Sequence, residues 1–87
     1  MWRSIEIEAS TAIYRGGDLY RDVAARLVTL GCVEIPRTGG GSHRKWLNHA
    51  TNRSTVIPDW GGKDLKLGTI RAAVRQLGLT WEAFTAA

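Results

Sequence analysis

Apolar residues recur at Leu19, Val23, Leu27 and Leu30 in the stretch GGDLYRDVAARLVTLGC, the spacing of one face of a helix. That periodicity predicts an amphipathic helix, with Asp18 placed to cap its start and Gly31 just past its end. The period then shortens. Val33 and Ile35 alternate with Glu34 in CVEIPR, a strand pattern that Pro36 confines to an edge or a strand end. After glycines 39 to 41, HRKWL read as a strand sets His43, Lys45 and Leu47 on one face and Arg44 and Trp46 on the other. A polar connection of hairpin type, NHATNR, leads to a third strand, STVIP, ended by Pro58. Beyond the Gly-bearing loop DWGGKDLKLG, the spacing of Ile70, Ala73, Val74 and Leu77 predicts a second helix, capped by Thr69 and ended by Gly78. A short last helix begins at Thr80, with Leu79 and Phe84 spaced as a hydrophobic staple.

The order is helix, three-stranded antiparallel meander, helix and a small cap, an α+β arrangement that packs both helices on one face of the sheet. The other sheet face is left open. Eighty-seven residues close one apolar core, so two independent domains are excluded. Residues 18–87 form that domain. Residues 1–17 stand apart: RSIEIEAS alternates Ile5 and Ile7 with Ser4, Glu6 and Glu8, as an added edge strand would, and a disordered extension reads equally well.

Charge changes the picture more than composition does. Residues 1–34 carry four basic and five acidic groups and residues 35–87 eight and three, so the net +4 divides into −1 and +5. Arg37, Arg44, Lys45 and Arg53 fall between positions 37 and 53 with both histidines and no carboxylate, the footprint of a surface that meets a polyanion. A solvated basic surface is the plainer alternative. No apolar run approaches the 18 to 20 or so residues that span a bilayer, and the N-terminus lacks the apolar stretch of a secretory signal. The expectation is a soluble, cytoplasmic protein without membrane contact. A single cysteine, Cys32, offers neither an internal disulfide nor a zinc quartet, and reads as a small buried apolar group.

Three stretches, GSHRKW, TVIP and GKDLKLGTIRAAVRQLGL, resemble the HicA family of bacterial toxins over roughly Leu19 to Leu79. The resemblance implies a small double-stranded-RNA-binding fold, α-β-β-β-α, and the activity of an mRNA interferase held inactive by a HicB-type antitoxin. It places the catalytic histidine on His43 and the glycine before the Ser-His pair on Gly41. Where many relatives carry histidine in a PxH sequence, this chain has PDW, so Trp60 stands in that place.

RNA cleavage without a metal or cofactor needs a base for the ribose 2′-hydroxyl, an acid for the leaving 5′-oxygen and positive groups around the phosphorus. Histidine, with an ordinary pKa near 6.5, can act as either base or acid, so His43 suits the task, although a strand histidine with no catalytic role has the same local pattern. Lys45 shares its strand face and Arg44 is expected at the rim, both to hold phosphate oxygens. The backbone from Gly39 to Ser42, Gly41 included, can add N–H donors. Lys63 and Lys66 flank the start of the second helix, whose free N–H groups attract phosphate. Trp46 and Trp60 can stack on bases or meet the antitoxin, core packing being the alternative. Two competing classes remain: a non-catalytic RNA-binding module of the same fold, and a helix-turn-helix, disfavoured because the last helix has only Glu82 as a charged residue.

Overall fold

The computed structural model describes residues 18–37 and 39–87. Its elements are α1 (Tyr20–Thr29), β1 (Cys32–Ile35), β2 (His43–Asn48), β3 (Arg53–Pro58), α2 (Leu67–Gln76) and α3 (Trp81–Ala86). This is the expected small α+β domain, with the sheet in the order β1-β2-β3 and both pairings antiparallel. The possible edge strand in residues 4–8 lies outside the described residues.

Strand alternation decides which side of the sheet the helices cover. Cys32, Trp46, Asn48, Thr55 and Ile57 are buried, while Val33, His43, Lys45 and Val56, at the alternate positions, are exposed. The buried face meets both helices: the Trp46 indole donates to the Tyr20 hydroxyl of α1 at 2.9 Å, and the Thr55 hydroxyl bonds the Gln76 side chain of α2 at 2.5 Å. Val23, Leu27, Leu65, Ile70, Leu77 and Phe84 complete one core with Trp46 and Ile57. Among the described residues the opposite face carries no helix.

Polar groups close the ends of the elements. Arg26 of α1 donates to the carbonyls of Phe84, Thr85 and Ala87 at 3.0, 2.9 and 3.1 Å, placing a cation at the negative end of α3 and tying the first helix to the last. Buried Asn48 donates to the Leu77 carbonyl at 2.9 Å, pinning the β2–β3 turn to the end of α2. Gly78, at φ +74°, makes the corner between α2 and α3.

Two expected caps differ from the observed ones. The α1 cap position is Leu19, one residue after Asp18, so the Asp18 side chain sits outside capping reach and lies instead 3.9 Å from Arg26 Nε. The α2 cap position is Lys66, because Leu65 plugs into the core and the helix starts directly after it; Thr69 falls inside the first turn. At α3 the expectation holds, Thr80 accepting from the Ala83 N–H at 3.1 Å. Cys32 is buried, and burial pushes its thiol pKa up.

Candidate active site

The open sheet face is where the sequence concentrates charge. His43 is the first residue of β2 and exposed, and Lys45 follows it on the same face. In register, Lys45 lies between Ile35 of β1 and Val56 of β3, and His43 lies opposite Pro58. Between β1 and β2 the glycine-bearing segment borders a depression of about 290 Å³ lined by Arg37, Gly39, Gly40, His43 and Lys45, with Ile35 and Pro36. Among the described residues the lining therefore holds one imidazole and two cations, and no carboxylate.

The imidazole is at the surface, yet the chain on either side of it is fixed. Gly41, at φ +109°, takes a backbone conformation that a side chain would strain, and its carbonyl accepts from Arg37 Nη1, which closes the segment on itself. Asp59, just after β3, holds both neighbours of His43. Its backbone N–H donates to the Ser42 carbonyl at 2.5 Å, and its carboxylate lies 2.9 Å from Arg44 Nη2. The same carboxylate accepts the Gly61 N–H at 3.0 Å, which orders its own loop. An exposed ring on an anchored backbone suits a group that must meet a substrate in a set position.

Arg44 and Trp46 do not join this surface. Both point to the helix side of the sheet, because β2 alternates and His43 and Lys45 occupy the open side. Arg44 is engaged by two carboxylates, Glu34 at 2.8 Å and Asp59 at 2.9 Å, and its guanidinium lies 5.6 Å from the Tyr20 ring centroid. Its charge is thus neutralised within the fold, a correction to the expected place at a phosphate-binding rim. Trp46 is only 2 % exposed and presents no ring face on which a base could stack, so its role is the core packing that was the alternative.

Trp46, Tyr20, Glu34, Arg44 and Asp59 form one polar chain beneath the site. The Tyr20 hydroxyl donates to Glu34 at 2.6 Å while accepting from Trp46. The Tyr20 hydroxyl bond, and after it the Arg44 bond, hold the Glu34 carboxyl below its ordinary pKa against the opposing effect of burial. Burial first, and then the bond to Glu34, push the Tyr20 phenol up. The bond to Glu34 raises the Arg44 guanidinium in turn.

Lys63 and Lys66 are exposed on the β3–α2 loop and at the α2 cap, outside the lining of the depression. Trp60 is 40 % exposed on the same loop. His49 is exposed in the β2–β3 turn. Two residues gain a place that the sequence did not single out. Arg37 is one of the basic residues between positions 37 and 53, but its bond back to Gly41 depends on how the glycines turn. Asp59 had no periodic signal, and only the closeness of the β3 end to the start of β2 shows what it grips. Among the described residues no three His, Cys, Asp or Glu side chains cluster together, and no helix is long and apolar enough to cross a membrane.

Fold and site together define a small α+β domain whose described residues leave one sheet face without a helix and set the His43 imidazole there among cations. Residues 20–79 match the family model described as the HicA toxin of bacterial toxin-antitoxin systems. That match covers more than half of the chain, and the protein belongs to the HicA toxin family. Membership makes it a toxin of such a system and implies an antitoxin partner. No curated protein and no solved structure matches the chain.

Proposed function

We propose that the toxin is an endoribonuclease that cuts mRNA at the depression beside His43. The observation that carries this reading is the exposed His43 ring lining a pocket with Lys45 and Arg37 and, among the described residues, no carboxylate, while Asp59 anchors the residues on both sides of it. In the cleavage step the ribose 2′-oxygen attacks the adjacent phosphorus, its proton leaves, and the bond to the 5′-oxygen breaks as that oxygen gains a proton. The products are a 2′,3′-cyclic phosphate and a 5′-hydroxyl. His43 acts in this step as general acid or base, for which a positioned group is worth about 10² to 10⁴ in rate. Lys45 and Arg37 hold the phosphate oxygens and balance the charge that builds there. Gly41 and Ser42 shape the approach to the phosphate, and Lys63 and Lys66 extend the cationic surface toward the RNA on either side.

With one proton-transfer side chain in the lining, turnover is expected to be slow. The basic open face is also the surface for the antitoxin, a HicB-type protein with an acidic face whose docking would cover His43. Substrate and partner place the toxin's work in the cytoplasm.

The test is to incubate the pure protein with end-labelled RNA in the presence of a chelator and to analyse the new termini. Cyclic phosphate ends are expected. Recovery of 3′-hydroxyl and 5′-phosphate ends would contradict the mechanism by pointing to metal-assisted hydrolysis. RNA that is bound but survives whole would instead favour a non-catalytic binding module.

A further inference from the structure

Arg71 and Arg75 lie four residues apart on α2, so their side chains leave the same face of the helix. With Val74, Leu79 and Trp81 they line a second depression, of about 240 Å³, where α2 meets the chain entering α3. Like charges at this spacing repel and weaken a helix. The helix sequence, LGTIRAAVRQ, offers them no acidic neighbour, and neither arginine forms an ion pair among the described residues. Arg26 and Arg44, by contrast, are each paired with carboxylates. The negative end of the α2 dipole accounts for Arg75 in the last turn, but not for Arg71 or for the depression between them.

Arg71 is also held in place. Its guanidinium carbon lies 4.7 Å from the Trp81 ring centroid, a cation–π contact, and the residue is exposed, so its N–H donors can reach an anion. Val74, Leu79 and the indole form the apolar wall beside the two cations. The depression lies on the helix side of the sheet, away from His43.

We infer that Arg71 and Arg75 form a second phosphate-binding site, which takes a phosphodiester of the single-stranded RNA at a distance from the cut. This rests on the RNA reading of the His43 site. A strand held at both places passes round the edge of the domain, so the second site adds affinity without touching the reacting atoms.

The experiment measures binding of a fluorescent single-stranded RNA across a salt series, in a His43→Ala background so that the RNA stays whole. The parent is compared with a variant that adds Arg71→Gln and Arg75→Gln, and thermal melting checks that both are folded. Each phosphate contact to a single strand contributes about 0.7 to the log–log salt slope, so losing two lowers the slope by about 1.4. At about 0.1 M salt that corresponds to roughly 25-fold weaker binding. An unchanged slope and affinity would overturn the second site while leaving the His43 reading standing. Loss of binding to a Glu-rich peptide with RNA binding intact would also overturn it, assigning the arginines to a protein partner. If the parent itself fails to bind RNA, the underlying RNA reading falls and this site with it.

Discussion

Trp46→Phe separates a core tryptophan from one that stacks on RNA. The native indole is 2 % exposed, and its N–H donates to the Tyr20 hydroxyl at 2.9 Å. Phenylalanine keeps an aromatic ring there but removes the donor, so the Tyr20 oxygen loses a partner while still donating to Glu34. A lost hydrogen bond of this kind costs about 1 kcal/mol. The missing second ring leaves a gap, and against the 3 to 5 kcal/mol typical of complete truncation to alanine this partial loss is about 1 kcal/mol. The sum, about 2 kcal/mol, lowers the melting temperature of a domain this size by roughly 8 to 16 °C. Circular dichroism melting reads that shift, and RNA affinity measured well below the transition reads the other role. Affinity should stay unchanged, whereas loss of a stacking contact would cost about 1 to 3 kcal/mol of binding. A variant that melts like the parent but binds RNA much more weakly would refute the core assignment.

Gly78→Ala should be costly because φ is +74° there and a Cβ would lie 2.8 Å from Thr51 Cγ2. Strain and displacement of the Thr51 hydroxyl from the Leu77 carbonyl together cost about 2 kcal/mol; in a Thr51→Ser background, which lacks the obstructing methyl, chemical denaturation should show a smaller loss, and an equal loss would contradict the steric argument. The polar chain beneath the site predicts a stability profile that declines at both pH extremes. Glu34 is held below its ordinary 4.5, so its contribution is complete above that value and is lost as the pH falls through the lower folded value. Tyr20 is raised above its ordinary 10.0, so its contribution is complete below that value and is lost as the pH rises through the higher folded value. Glu34→Gln should make the acid decline in melting temperature shallower than the parent's, and an identical decline would remove Glu34 as its source.

Much of this domain could be read from periodicity. The change from the helical spacing of Leu19, Val23 and Leu27 to the alternation of Val33 and Ile35 marked α1 and β1, and alternation alone assigned His43 and Lys45 to one side of β2. The same alternation also put Arg44 and Trp46 on the other side. What it left undetermined was which side the helices cover, since a Trp and an Arg can face either solvent or core. Tyr20 and Glu34 settle that by bonding to them from α1 and β1. Helix starts were harder than helix ends. Glycine at positive φ stops a helix by backbone geometry, as at Gly31 and Gly78, while the start of α2 is set by Leu65 anchoring in the core, a tertiary contact with no local signature. The grip of Asp59 on Ser42 and Arg44 was hidden for a similar reason, because it spans chain segments some sixteen residues apart that only strand pairing brings together.

The central claim is tested most directly by His43→Ala, with cleavage, RNA binding and stability measured on the same preparation. The ring is exposed, so stability should change by no more than about 0.5 kcal/mol. RNA affinity should be nearly preserved through Lys45 and Arg37, and the cleavage rate should fall by about 10² to 10⁴. Cleavage at the parent's rate by the folded His43→Ala protein would show that the imidazole does no chemistry.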